Sequence, residues 1–257
     1  MNFKIKRSFT LFFTAFACLA VFSGCGKARP YTGVTLSDVP PQAAQAAVMP
    51  DFSSYIKEVS FLGCGDNIIY KGNVKEAASN AKAGGRTYNF KPTYALVADR
   101  IEKADIAFIN QETVMAGDGY ELSYYPMFNS PQDVGYDLQE LGFDVVGIAN
   151  NHMLDKGAKG LEKTIAFWKN MEGVLLIGGY DSREDYDTVR VLEKNGIKIA
   201  FLAYTYGTNG LTKAASSPVV IPYINEDDIT RQVAAAKNAA DAVIVSVHWG
   251  DEGSFKP

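Results

Sequence analysis

The chain has little cysteine and little histidine: three cysteines and two histidines in 257 residues. Cys18 lies in an apolar leader and Cys25 directly after it, which leaves Cys64 alone downstream. A disulfide framework is therefore excluded, and the folded part must rest on a hydrophobic core. Net positive charge is also lacking. The formal charge is −4, and without the amino-terminal Lys4, Lys6 and Arg7 it becomes −7. An acidic chain is a poor partner for nucleic acid, so none is expected. No Gly-x-Gly-x-x-Gly, P-loop or Gly-x-Ser-x-Gly string occurs, which argues against dinucleotide, nucleotide-loop and serine-elbow chemistry. The one long apolar run near the start, Phe9–Phe22, is shorter than the roughly 20 residues of a spanning helix.

That run follows a basic start and ends in Val21-Phe22-Ser23-Gly24-Cys25. It reads as a bacterial lipoprotein signal over residues 1–24, with Cys25 as the lipidated residue. An ordinary secretory signal or an uncleaved anchor is the alternative. Each places the chain outside the cytoplasm, and the lipid reading puts it on the extracytoplasmic face of the cell membrane. Residues 25–52 carry Pro30, Pro40, Pro41 and Pro50 and an Ala/Gln stretch, and read as a flexible tether. Residues 53–257 form one domain of suitable size.

Within that domain apolar runs alternate with helical periodicity. Strands are predicted at Glu58–Cys64, Ile106–Ile109, Asp144–Ala149, Val174–Ile177, Thr188–Glu193, Ile197–Tyr204 and Ala242–Val247. Helices are predicted at Pro92–Lys103, Pro131–Leu141, Gly160–Met171 and Glu226–Ala239. Asn195-Gly196 is a hairpin turn. Alternating strands and helices with one antiparallel hairpin imply an α/β fold with mixed sheets. The hairpin argues against a (β/α)₈ barrel.

The chemistry gathers where strands end. Asp66 follows the first run, Asn110 and Glu112 the second, Asn151, His152 and Asp155 the third, and His248 and Glu252 the last. Open α/β sheets bind ligands at these carboxyl ends. Carboxylate, amide and imidazole together suit a divalent metal such as Mn, Fe or Zn. Two ions bridged by a carboxylate could activate water and clamp a phosphate. Asp66 could otherwise be a turn acid, Glu112 a solvated loop acid, Asn151 a cap, and Asp155 the N-cap of the following helix. Cys64 reads as a small strand residue, and Trp249 as packing or as a wall of the pocket.

The strings Gly65-Asp66, Asn110-x-Glu112, Asn150-Asn151-His152-x-x-Asp155-x-Gly157 and His248-Trp249-Gly250-x-Glu252 resemble the CapA family of poly-γ-glutamate capsule biosynthesis proteins. That family is similar to the calcineurin-like metallophosphoesterases. The resemblance implies a metallophosphoesterase-like αββα sandwich, in which Asp66 is a first-metal ligand, Glu112 a bridging carboxylate, and Asn151 and His248 second-metal ligands. His152, oriented by Asp155, would protonate a leaving group, and Asn110 and Glu252 would contact substrate. It also implies an anionic polymer or phosphoester substrate and subunits of a capsule or polyglutamate synthase as partners. Two departures stand out. Ile68 holds the place of the histidine in the phosphoesterases' Asp-x-His, and a Gly-His-x-Pro-His-like motif is absent, so the domain is expected to be incomplete at its carboxyl end. A non-catalytic accessory protein of a membrane polymer synthase is the competing reading.

Overall fold

A computed structural model describes residues 2–7, 56–82, 85–251, 253 and 254. Cys25, the tether, most of the signal segment and Glu252 lie outside the described residues. Asn2–Arg7, inside the segment read as a signal, is strand β1 at the edge of the first sheet.

The first sheet continues with β2 (Lys57–Asn67), β3 (Ile106–Gln111), β4 (Val145–Gly147) and β5 (Leu175–Ile177), side by side in chain order. The pairs β2–β3, β3–β4 and β4–β5 are parallel. Helices α1 (Lys71–Asn80), α2 (Ala98–Glu102), α3 (Asp133–Glu140) and α4 (Gly157–Lys169) cross between these strands. They bury Val74, Ile101, Leu138, Leu161 and Trp168 against Leu62, Ile109, Val146 and Leu176 on one face of the sheet. The strands are apolar on both sides because the other face is covered too.

What covers it is a second sheet. The short helix α5 (Arg183–Asp187) leads to β6 (Arg190–Lys194), which turns at Asn195-Gly196 into the antiparallel β7 (Ile197–Thr205). Helix α6 (Glu226–Ala239) then returns the chain to β8 (Ala242–His248), parallel to β7. Alternate residues of β7 face opposite ways, as strand geometry requires. Ile199, Phe201 and Ala203 meet Val59, Phe61, Ile106 and Val145 of the first sheet, whereas Ala200, Leu202 and Tyr204 meet Ala236 of α6. The result is four layers, helix, sheet, sheet, helix. The expected αββα sandwich with mixed sheets is observed, and two open sheets rule out the closed barrel.

Two expectations about elements need correction. Pro92–Lys103 is not one helix. Lys91–Tyr94 is a 3₁₀ turn, and α2 begins only at Ala98. Tertiary bonds set this geometry: Asp137 accepts from the Phe90 backbone N–H, and Tyr94 donates to Asn67 Oδ1 at 3.0 Å. Val97, at helical spacing with Tyr94 and Ile101, is exposed. Helices α1 and α5 are not among the expected elements. Helix α1 buries only Val74 and Ala77, and α5 is five residues long, so neither carries a readable apolar stripe. Among the described residues, no helix is long and apolar enough to cross a membrane.

Candidate metal centre

Strand β2 carries the first functional side chain through an irregularity. Its register with β3 runs Gly63↔Phe108 and then Asp66↔Asn110, so β2 holds one extra residue between these points. Such a bulge bends the strand and re-aims the next side chain. Gly65 sits in it with open space around its Cα. The displaced Asp66 meets β3, where Asn110 Nδ2 donates to Asp66 Oδ1 at 2.6 Å. Asn110 was expected to contact substrate. It is buried beside Asp66, with its Oδ1 3.5 Å from Asn150 Nδ2, and its amide orients the carboxylate.

Glu112 follows β3, its backbone N–H bonded to Asn67 O at 3.3 Å. Its side chain is buried, and Oε2 has no hydrogen-bond partner. Beyond β4, Asn150 staples the next loop. Its Oδ1 accepts from the His152 N–H at 3.0 Å, and its Nδ2 donates to Gln111 O at 3.2 Å. This fixes Asn151 and His152 over the sheet edge. Asp155 Oδ2 lies 2.7 Å from His152 Nδ1 and accepts from the Phe128 N–H at 2.6 Å. Since a carboxylate only accepts, Nδ1 carries the proton and Nε2 faces the cavity, 3.8 Å from Glu112 Oε1. Asp155 is therefore the histidine's partner and not a helix cap; the α4 N-cap is Lys156, which makes no capping bond.

His248 arrives from the other sheet, at the end of β8. Its Nε2 is 2.9 Å from Asn151 Oδ1 and 3.9 Å from Glu112 Oε1, and its Nδ1 is 3.6 Å from Asp66 Oδ1. One ligand atom from each of Asp66, Glu112 and His248 lies within 4.8 Å of the others. All four expected ligands, Asp66, Glu112, Asn151 and His248, thus meet at one place, with His152 beside them.

The electrostatics of this cluster call for a cation. Burial, then the charge of Asp66, pushes the Glu112 carboxyl up to about 6. The His248 imidazole 3.6 Å away holds Asp66 below the usual carboxylate range, against burial and with help from Asn110. Burial would lower His248, but the neighbouring Asp66 carboxylate, with Glu112, outweighs it and raises the imidazole. A buried carboxylate with an unpartnered oxygen beside a second carboxylate is an unfavourable arrangement that a divalent ion relieves. Two carboxylates, an imidazole and an amide oxygen fit Mn, Fe or Zn.

Trp249, read as packing or a pocket wall, and several residues outside the expected set complete the site. A cavity of about 280 Å³ opens over the cluster, lined also by Tyr70, Tyr125, Phe128, Tyr206 and Trp249. The Phe128 ring meets His152 edge-on at 4.8 Å, and the Tyr206 ring stacks on His248 at 6.1 Å. Asn209, at φ 51°, accepts from Asn151 Nδ2 at 3.1 Å. These residues sit in loops without periodicity, so only the His248-Trp249 adjacency hinted at any of them. Ile68 also lines the cavity.

Comparison with known proteins points to a family. The family described as bacterial capsule synthesis protein PGA_cap matches residues 60–257. The capsule biosynthesis protein CapA of Bacillus anthracis is 33% identical over 125 residues, 47% of this chain and 30% of that protein. The PGA biosynthesis protein CapA of Bacillus subtilis (strain 168) is 30% identical over 121 residues, 47% of this chain and 32% of that protein. The matched stretches span about a third of these relatives' lengths. Among solved structures, a 5′-nucleotidase precursor from Thermus thermophilus aligns with 60% of this chain and 30% of that chain, at 17% identity and a TM-score of 0.39.

Proposed function

The chain belongs to the PGA_cap family of bacterial capsule synthesis proteins, and from that premise we propose that it is an extracytoplasmic, lipid-anchored, metal-dependent hydrolase serving capsule polymer production. The observation that carries the reading is the convergence of Asp66, Glu112, Asn151 and His248, from four strand ends and two sheets, at the buried Glu112 carboxylate. Asp66, Glu112 and His248 would hold a divalent cation, with the Asn151 amide oxygen beside them. Bound there, the metal supplies Lewis acidity and an activated water.

The protein's own groups do the rest. Asn110 and Asn209 keep Asp66 and Asn151 turned toward the cluster. Asp155 holds His152 with Nε2 facing the cavity, where the imidazole can deliver a proton to a departing oxygen. Phe128 packs against that ring and screens it from water. The chemistry suited to these groups is phosphoester hydrolysis. Attachment through Cys25 would keep the site near subunits of a polymer synthase at the membrane.

The test is metal content and hydrolysis of a phosphoester such as bis(p-nitrophenyl) phosphate by the whole chain. D66N and H248A should lose bound manganese. H152A should retain it while hydrolysis falls by at least 100-fold, the usual scale of general acid catalysis. Failure of the parent chain to take up metal would discard the hydrolase reading. The apolar Ile68 on the cavity wall favours a second reading, a non-catalytic accessory protein of a polymer synthase. Metal uptake without hydrolysis of any phosphoester would support it.

A further inference from the structure

The cavity over the metal cluster has a wall chemistry that the hydrolase reading does not use. Five aromatic side chains surround it. Tyr70, Tyr125 and Phe128 form one wall, the first two each meeting Phe128 edge-on at 5.4 and 6.5 Å. Tyr206 and Trp249 form the other, flanking His248. Water covers much of this apolar area: Tyr125 is 73% exposed and Trp249 75%. Aromatic faces of this size are normally buried, and where they ring a cleft they mark a ligand with a flat apolar side.

The polar groups of the cleft narrow that ligand. Among the described residues no lysine or arginine lines it; its charged groups are Asp66, Glu112 and Asp251, besides the histidines. One divalent ion offsets two of the three carboxylates, so the cleft gains no surplus of positive charge for a run of anionic side chains. Carboxylate and amide oxygens are acceptors, and the tyrosine hydroxyls both donate and accept, which suits a ligand rich in hydroxyl groups. The volume, about 280 Å³, is at the small end for ligand pockets and suits one ring rather than a polymer segment.

We propose that the cleft between Tyr125 and Trp249 receives a neutral sugar ring, so that the ester presented to the metal cluster belongs to a saccharide and not to a polyglutamate chain. The proposal rests on the hydrolase reading for the role of the cluster. The aromatic walls would hold the ring's C–H face, and Asp251 would accept from its hydroxyls.

Tryptophan fluorescence reads the cleft directly. The chain has two tryptophans, of which Trp168 is wholly buried in the core and Trp249 stands on the rim. Manganese-loaded full-length chain is titrated with cellotetraose, with chitotetraose, and with a γ-linked glutamate tetramer. A saturable blue shift with at least one saccharide is expected, absent in W249F and weakened about tenfold in Y125A, with no saturable change from the glutamate tetramer. No saturable response to either saccharide, or a glutamate response equal to or stronger than theirs, would overturn the proposal. Manganese uptake measured on the same samples separates the two readings. Uptake without a saccharide response sinks this inference alone, whereas no uptake sinks the hydrolase reading.

Discussion

Glu112 shows how a single residue trades stability for chemistry. The folded chain keeps its proton up to a pH of about 6, whereas the ordinary value is 4.5. Folding therefore takes up a proton between these values, and stability falls as pH rises through them. The whole shift corresponds to about 2 kcal/mol at most. In metal-free protein, Glu112→Gln should thus be more stable than the parent at pH 8 by up to about 2 kcal/mol. The advantage should vanish below pH 4.5. Denaturant unfolding in chelator at several pH values checks this, and parallel pH profiles for the two proteins would contradict it. Asn209 makes the opposite kind of contribution. Its acceptance of the Asn151 amide leaves Asn151 Oδ1 facing His248. Hydrogen-bonding partners of ligands typically govern metal affinity by 10- to 100-fold. Asn209→Ala should weaken manganese binding about tenfold by calorimetry, and Asn209→Asp, which retains the acceptor, should restore most of it. At this scale the ligands were legible as polar residues closing apolar runs. Asn209 was not, because it lies 58 positions from Asn151.

Elements explain why those strand ends coincide. The Asn195-Gly196 turn, readable in the sequence, joins β6 to β7 and is also pinned to the first sheet. Asn195 Nδ2 donates to Glu58 O at 3.1 Å and to Asp105 Oδ1 at 3.2 Å, and Asp105 Oδ2 accepts from both the N–H and the hydroxyl of Ser60 at 2.7 Å. These bonds, those from Ser60 first, hold the Asp105 carboxyl below its usual range. A depressed carboxylate stabilises the fold above its ordinary value near 3.8 and loses that contribution as pH falls through its lower folded value. Asp105→Asn should cost about 1 kcal/mol at neutral pH, and the gap should close in acid. Chemical denaturation at pH 7 and pH 3 measures both, and a gap that persists unchanged in acid would show that the charge is not involved. The sequence placed β2 to β8 to within a few residues because β2–β5, β7 and β8 are apolar runs and β6 alternates into the Asn195-Gly196 turn. It misjudged Pro92–Lys103, where bonds to Asp137 and Asn67 override helical periodicity. The bulge before Asp66 was hinted at only by Gly63 and Gly65 flanking Cys64.

The molecule as a whole divides its candidate site between two sheets. Asp66, Glu112, Asn151 and His152 belong to the first, and His248 to the second, which packs on it through Phe61 and Phe201 with ring centroids 6.2 Å apart. Alternation of strands and helices announced the α/β class, but nothing local in the sequence distinguishes one mixed sheet from two stacked ones. That distinction assembles the candidate site, because stacking brings the end of β8 to the ends of β2 and β3. A cation held by Asp66, Glu112 and His248 would then be a cross-link between layers. Binding to the folded state alone stabilises by about 2.7 kcal/mol at a hundredfold excess over the dissociation constant, which for a domain of this size is about 5 to 10 °C in Tm. Manganese should raise the Tm of the parent by that amount and leave His248→Ala unmoved. Phe201→Ala, which empties the inter-sheet layer, should lower stability by about 3 to 5 kcal/mol. If the seam also sets the ligand geometry, Phe201→Ala should weaken manganese affinity in the temperature range where it remains folded. Unchanged affinity in that variant, by calorimetry well below its Tm, would mean that the first sheet alone positions the metal and that His248 joins it without help from the packing beneath.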